Sequence, residues 1–183
     1  MKGLTDGMGG SVTPRDPVRL STVPDGLEEI VKVYGGWPLT DSGEQDPEFF
    51  SREVSRFTLP YPMRLSWNPG ITVKTTVAHR LVGASLIDAL CEIYDTHGFR
   101  YLRKNDLDLF GGVYAARSKR GRPGQASTHA WAIAIDINPH RGPLGKPTDM
   151  PEFIVAAFER RGWEWGGRWN VRDGMHFQAC TGY

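Results

Sequence analysis

Several things are scarce in this chain. Its 183 residues include two cysteines, Cys91 and Cys180, which stand far apart and form no spacing motif. They make no disulfide framework, and a reducing compartment is the default. No apolar run approaches the roughly 18 residues needed to span a bilayer. Opposite charges nearly cancel, with 22 Lys and Arg against 21 Asp and Glu, so there is no bulk electrostatic case for nucleic acid. The opening residues lack the charged-then-apolar order of a secretory signal, and the glycine-rich stretch from Met1 to Gly10 reads as a disordered leader. There is no internal repeat. What is present, 39% hydrophobic and 23% charged residues, suits one ordinary globular domain with a real core and room for an extra N-terminal element.

Residues 11–70 hold eight of the thirteen prolines. One short helix is expected from Leu27 to Tyr34, ended by Gly35-Gly36 and Pro38; much of the rest is expected to wrap the surface of the main domain. We therefore divide the chain into an N-terminal extension, 1–60, and that main domain, 61–183. Ile71 to Val77 is β-branched and alternating, hence a strand. Leu81, Val82, Ser85, Leu86, Ala89, Leu90 and Ile93 make one helical stripe, with Gly98 where a left-handed cap is wanted. Phe110 to Ala116 reads as another strand, with a basic loop from Arg117 to Arg122 after it.

In Ala132 to Asn138 the isoleucines Ile133, Ile135 and Ile137 point to one face and Ala132, Ala134, Asp136 and Asn138 to the other. The isoleucine face is core, and a groove fits over the alanines with Asp136 at its floor. A helix over Pro151 to Arg161 ends at Gly162. The final strand, Met175 to Cys180, alternates again, with His176 and Gln178 on one side. If it pairs with the isoleucine strand, His176 and Asp136 share a face. The order of elements predicts an α+β fold with a largely antiparallel central sheet and flanking helices, and a single zinc site, if the residues hold one, would lie in the groove over that sheet.

Of five histidines, His79 and His97 sit at helix boundaries and read as structural, and His140 lies in a Gly/Pro-rich loop and reads as exposed. His129 and His176 keep different company. Asp136 occupies a buried-looking strand position, where an unpaired carboxylate is costly. A partner arginine, backbone donors, or a metal shared with the histidines would each satisfy it. Two imidazoles, a carboxylate between them, and Asp173 three residues before the last histidine also compose the ligand shell of a catalytic zinc with a nearby base. Such a zinc uses three protein ligands and keeps its fourth position open.

Ser127-x-His129-x(6)-Asp136 followed by Asp173-x-x-His176 resembles the zinc D-alanyl-D-alanine carboxypeptidases and the related L-alanyl-D-glutamate endopeptidases, which act on bacterial cell-wall peptides. Trp163-Glu-Trp165-Gly166-Gly167-Arg-Trp169, Met175-His176-Phe177 and Phe110 to Arg117 look like the phage-endolysin subgroup. The resemblance runs from about Ile71 to the C-terminus. It implies that His129, Asp136 and His176 hold Zn2+, that Asp173 is the general base, and that Arg117 steadies the oxyanion or the substrate. Ser127 is implied to contact substrate or orient His129. One departure stands out: Ala132 occupies a position where the family usually has glycine, which matters only if the backbone there needs a positive φ.

The expected function is zinc-dependent hydrolysis of a peptide bond in the peptidoglycan stem peptide, between L-Ala and D-Glu, by a phage or prophage lysin. Such a lysin would be made in the bacterial cytoplasm and reach the wall by holin-type release. Carboxypeptidase release of terminal D-Ala is the alternative. A non-catalytic zinc module binding cell wall, or a phage structural component, is a further one, against which Asp173 and Arg117 argue. For Trp163, Trp165 and Trp169 a core or groove-wall role is preferred over a glycan platform.

Overall fold

The structure, a computed structural model, describes residues 16–183; the expected leader at Met1 to Gly10 lies outside them. Two short helices open it, α1 (Gly26–Val33) and α2 (Pro47–Glu53). Asp46 caps α2 by accepting from the backbone N–H groups of Glu48 and Phe49 at 2.8 and 2.9 Å, with Pro47 at the first helical position. Then come β1 (Val54–Leu65), β2 (Asn68–His79), α3 (Gly83–Lys104), β3 (Leu109–Gly112), β4 (Ser118–Lys119) and β5 (Arg122–Ala126). The chain finishes with β6 (Ala134–Ile137), α4 (Glu152–Glu159), β7 (Glu164–Trp165) and β8 (His176–Gln178).

Six strands form one sheet in the order β2-β1-β3-β6-β8-β7, and β4-β5 make a separate hairpin. Every pairing in the large sheet is antiparallel except β1 with β3, so the sheet is mixed though mostly antiparallel. The α+β expectation therefore holds at that level.

Three expectations need correction. First, the proline-rich stretch before residue 70 contributes a twelve-residue strand, β1, and not only surface wrapping. Leu59, Tyr61 and Met63 alternate into the core, while Pro60 and Pro62 fall where the β1–β2 register is broken between Thr58 and Met63. A break of that kind is where a strand tolerates a missing N–H. Second, Gly98 has a positive φ, 73°, but with ψ 161° it is not the left-handed cap expected, and helix resumes beyond it to Lys104. Third, the strand expected over Phe110 to Ala116 leaves the sheet after Gly112, because Val113 and Ala115 bond to the His129 loop instead: His129 Nδ1 lies 2.8 Å from the Val113 carbonyl, and Ala115 N–H donates to His129 O.

Beneath the sheet, Ile133, Ile135, Ile137 and Phe177 are fully or almost fully buried. Phe158 of α4 stacks on Phe177 at 4.4 Å between centroids and meets Trp163 edge-on at 5.7 Å. Each such side chain contributes about 1.5–3 kcal/mol by leaving water, which anchors β6 and β8 from below. The N-terminal helices join the same core through Ile30, Tyr34 and Phe49. Tyr34 Oη donates to the Ala179 carbonyl at 2.7 Å, and Trp131 Nε1 to that of Gly36 at 2.8 Å.

Candidate metal centre

The site is built from cross-strand rows. β6 and β8 pair with Asp136 opposite His176 and Ala134 opposite Gln178, so these four share the face away from the isoleucines. Next to them, the turn from Ser127 to Ala132 brings in His129. Its backbone N–H lies 3.4 Å from Ser127 Oγ, and Ala130 N–H donates to the Ser127 carbonyl. Gly111 lets β3 come close: a Cβ there would sit 2.7 Å from Asp136 Cβ and 2.8 Å from its carbonyl oxygen.

His129, Asp136 and His176 each offer a ligand atom, and these atoms lie within 4.8 Å of one another. Asp136 Oδ1 is 3.3 Å from His129 Nε2 and 3.0 Å from His176 Nδ1. Burial opposes ionisation of Asp136, yet hydrogen bonds from His129 and His176 outweigh it and hold the carboxyl well below its usual range. Burial likewise disfavours the charged His176, and the Asp136 hydrogen bond reverses that and raises its pKa.

The donor set fits a zinc ion on the chemistry of the residues present. It supplies two nitrogens and one oxygen, and the Val113 carbonyl holds a proton on His129 Nδ1, so that Nε2 is the nitrogen that offers a lone pair once the ring is neutral. Asp173 Oδ1, moreover, is buried without a hydrogen-bond partner, an unusual cost for a group with no further task. Burial raises the Asp173 pKa above the ordinary value, with His176 pulling the other way.

These residues line a cavity of about 190 Å³, together with Arg117, Lys119, Arg120, Ser127, Trp169 and Tyr183. Beyond Trp169, which lines both, an open cleft of about 750 Å³ carries Lys146, Arg168, Arg172 and Trp165. Of the basic loop, then, Arg117, Lys119 and Arg120 face the cavity, whereas Arg122 does not line it. Lys119 Nζ lies 3.2 Å over the Tyr183 ring, and burial lowers its pKa. Trp163 is core, donating to Ser85 Oγ at 3.0 Å, and Trp165 and Trp169 are wall.

The remaining histidines lie elsewhere: His79 is buried under α1 and α2, His97 stacks on Tyr101, and His140 is exposed. Sequence reasoning assigns Gln178 only a face and Glu164 nothing. The alignment of Gln178 with the His176 row is implicit in the strand alternation, but no sequence signal announces the β7–β8 pairing.

A buried His-His-Asp cluster beside an unpartnered carboxylate, on a sheet and under a groove, defines a candidate metallohydrolase site. Residues 120–179 match the model of a peptidase family described as D-alanyl-D-alanine carboxypeptidase. That stretch is about a third of the chain and contains Ser127, His129, Asp136, Asp173 and His176 but not Arg117. The match supports a zinc peptidase of the D-Ala-D-Ala carboxypeptidase type acting on peptidoglycan. No curated protein and no solved structure matches the chain. Among the described residues, no helix is long and apolar enough to cross a membrane.

Proposed function

We propose that this chain is a zinc-dependent peptidase that cuts within the peptidoglycan stem peptide, between L-Ala and D-Glu, with His129, Asp136 and His176 as metal ligands. The observation that carries the reading is the cavity itself. Three converging donors and an unpartnered Asp173 share one cavity with Arg117, Lys119 and Arg120, and Trp169 stands between that cavity and a separate open cleft. Three cations suit a peptide bearing several carboxylates, which favours the longer acidic stem peptide over a lone terminal residue.

Bound zinc would acidify water and polarise the scissile carbonyl. The chain's own residues do the rest. As a carboxylate, Asp173 accepts the proton of the attacking water at an oxygen and returns it to the leaving amine nitrogen. The Arg117 guanidinium, whose Nη1 donates to the Ser118 carbonyl at 3.2 Å, stays charged and meets developing negative charge at the carbonyl oxygen. Ser127 steadies the His129 backbone.

Release of terminal D-Ala is the second reading, favoured by the description of the matching family. The lysin role rests on the resemblance of Trp163 to Trp169 and Phe110 to Arg117 to endolysins. Digestion of purified peptidoglycan followed by mass spectrometry of the new termini tests both. An amino terminus on D-Glu is expected, and free D-Ala with intact L-Ala–D-Glu bonds overturns the endopeptidase assignment.

A further inference from the structure

One buried hydrogen-bond chain at the site has no part in the proposed chemistry. The second nitrogen of His176, Nε2, lies 3.2 Å from Gln178 Oε1. Gln178 is 1% exposed, and its amide nitrogen donates to Glu164 Oε2 at 2.8 Å and to the Cys180 carbonyl at 3.2 Å. β7 and β8 pair with Glu164 opposite Gln178, so Ala134, Gln178 and Glu164 form one row across three strands, beside the row of Asp136 and His176.

The amide has only one workable orientation. Turned over, its oxygen would face the Glu164 carboxylate and the Cys180 carbonyl, two acceptors against an acceptor, and the buried nitrogen would lose both partners. With the oxygen toward His176, that ring must carry its proton on Nε2. Nδ1, the nitrogen facing Asp136, is then the one left with a lone pair once the ring is neutral. An imidazole can present only one ligating nitrogen, and the other must be protonated and held.

From this we infer that Glu164 and Gln178 are positioning residues that fix the tautomer and the plane of the His176 ring, with Glu164 orienting the Gln178 amide and Gln178 aiming Nδ1 into the metal site. The inference rests on the metal reading of His176. It assigns a function to the Glu-x(13)-Gln pair that links the tryptophan-glycine segment to the final strand.

The test measures zinc affinity by chelator competition in wild type, Gln178→Leu, Glu164→Ala and Glu164→Gln, with ¹⁵N imidazole spectra of the zinc-loaded protein. Gln178→Leu is expected to weaken zinc roughly 10–100-fold, the usual cost of losing a partner behind a ligand. Glu164→Ala should weaken it less, because the Cys180 carbonyl still holds the amide, and Glu164→Gln, which keeps an acceptor, should recover most of the loss. The wild-type spectrum should place the His176 proton on Nε2. Zinc bound through Nε2, or a folded Gln178→Leu with affinity within about twofold of wild type, overturns the relay alone. If Gln178→Leu does not fold, the wild-type spectrum and the two Glu164 variants still decide. A wild-type protein that binds no zinc overturns the metal reading, and the relay with it.

Discussion

His79 should make the fold sensitive to acid. It is fully buried between the N-terminal helices and the start of α3. Its Nδ1 accepts from the Leu81 N–H at 3.2 Å, and Nε2–H donates to the Tyr34 carbonyl at 3.3 Å. Both nitrogens are thus satisfied in the neutral ring. Glu53 Oε2 stands 3.6 Å away, but that carboxylate is held by Arg52 at Oε1 and by Arg80 at Oε2. Burial dominates and pulls the His79 pKa down to about 4, the Tyr34 carbonyl and Glu53 opposing it. Between that value and about 6.5 the unfolded chain binds a proton that the folded protein refuses, so stability is whole above the window and is lost as pH falls through it. Lowering pH from 7 to 5 should cost about 2 kcal/mol from this residue. With a urea slope of about 2 kcal/mol/M, the midpoint should fall by about 1 M. Other groups also titrate, so the measurement is the difference between wild type and His79→Gln, whose amide keeps a donor and an acceptor without titrating. An equal pH dependence in the two proteins would refute the reasoning.

Asp173→Asn should leave zinc stoichiometry intact and lower kcat by about 10²–10⁴-fold, read by metal analysis and by muropeptide turnover; near-normal turnover would mean that the base is another group. His129→Ala should lose metal and activity together, and retained stoichiometric zinc would remove it from the ligand set. Gly111→Ala should weaken metal binding without touching a ligand side chain's donor atoms, since the added carbon meets Asp136 backbone that cannot yield; unchanged zinc affinity would show that β3 moves freely. At Ala132, φ is 57°. Ala132→Gly removes about 1–2 kcal/mol of left-handed strain and returns about 0.4–1 through unfolded-state entropy and up to about 0.8 for the buried methyl. It should therefore change stability by less than about 1.6 kcal/mol in either direction, whereas Ala132→Val should lose more than about 2 kcal/mol by denaturation; a Val variant as stable as wild type would contradict the strain.

The site's geometry is legible in the sequence to the extent that it depends on two-residue periodicity. Asp136 and His176 each stand in a short alternating run, so their sides are determined, and pairing the runs brings them face to face. The β1 strand carries the same signal in Phe57, Leu59, Tyr61, Met63 and Leu65, but Pro60 and Pro62 between them hide it, because proline argues against a ladder unless the register break is known. Contacts set by tertiary approach leave no such trace. The positive φ of Ala132 is imposed by a turn whose Ala130 and Ala132 N–H groups donate to the Ser127 and His129 carbonyls. The β7–β8 pairing involves a two-residue strand too short to show a period. The family resemblance points to glycine at 132, and the left-handed backbone there gives the physical reason that glycine suits the position.

The bond from Trp131 to Gly36 has a consequence for how such a chain can be inherited. Trp131 is fully buried two residues after His129, yet its indole nitrogen is satisfied only by the loop after α1. Tyr34 is tied in turn to the strand end beyond Gln178. A recombination joint drawn just upstream of the metal ligands would strand both hydrogen bonds inside a new partner. The segment from α1 to α2 and the groove must therefore travel together when modules are exchanged, and substitutions in one should be matched by substitutions in the other.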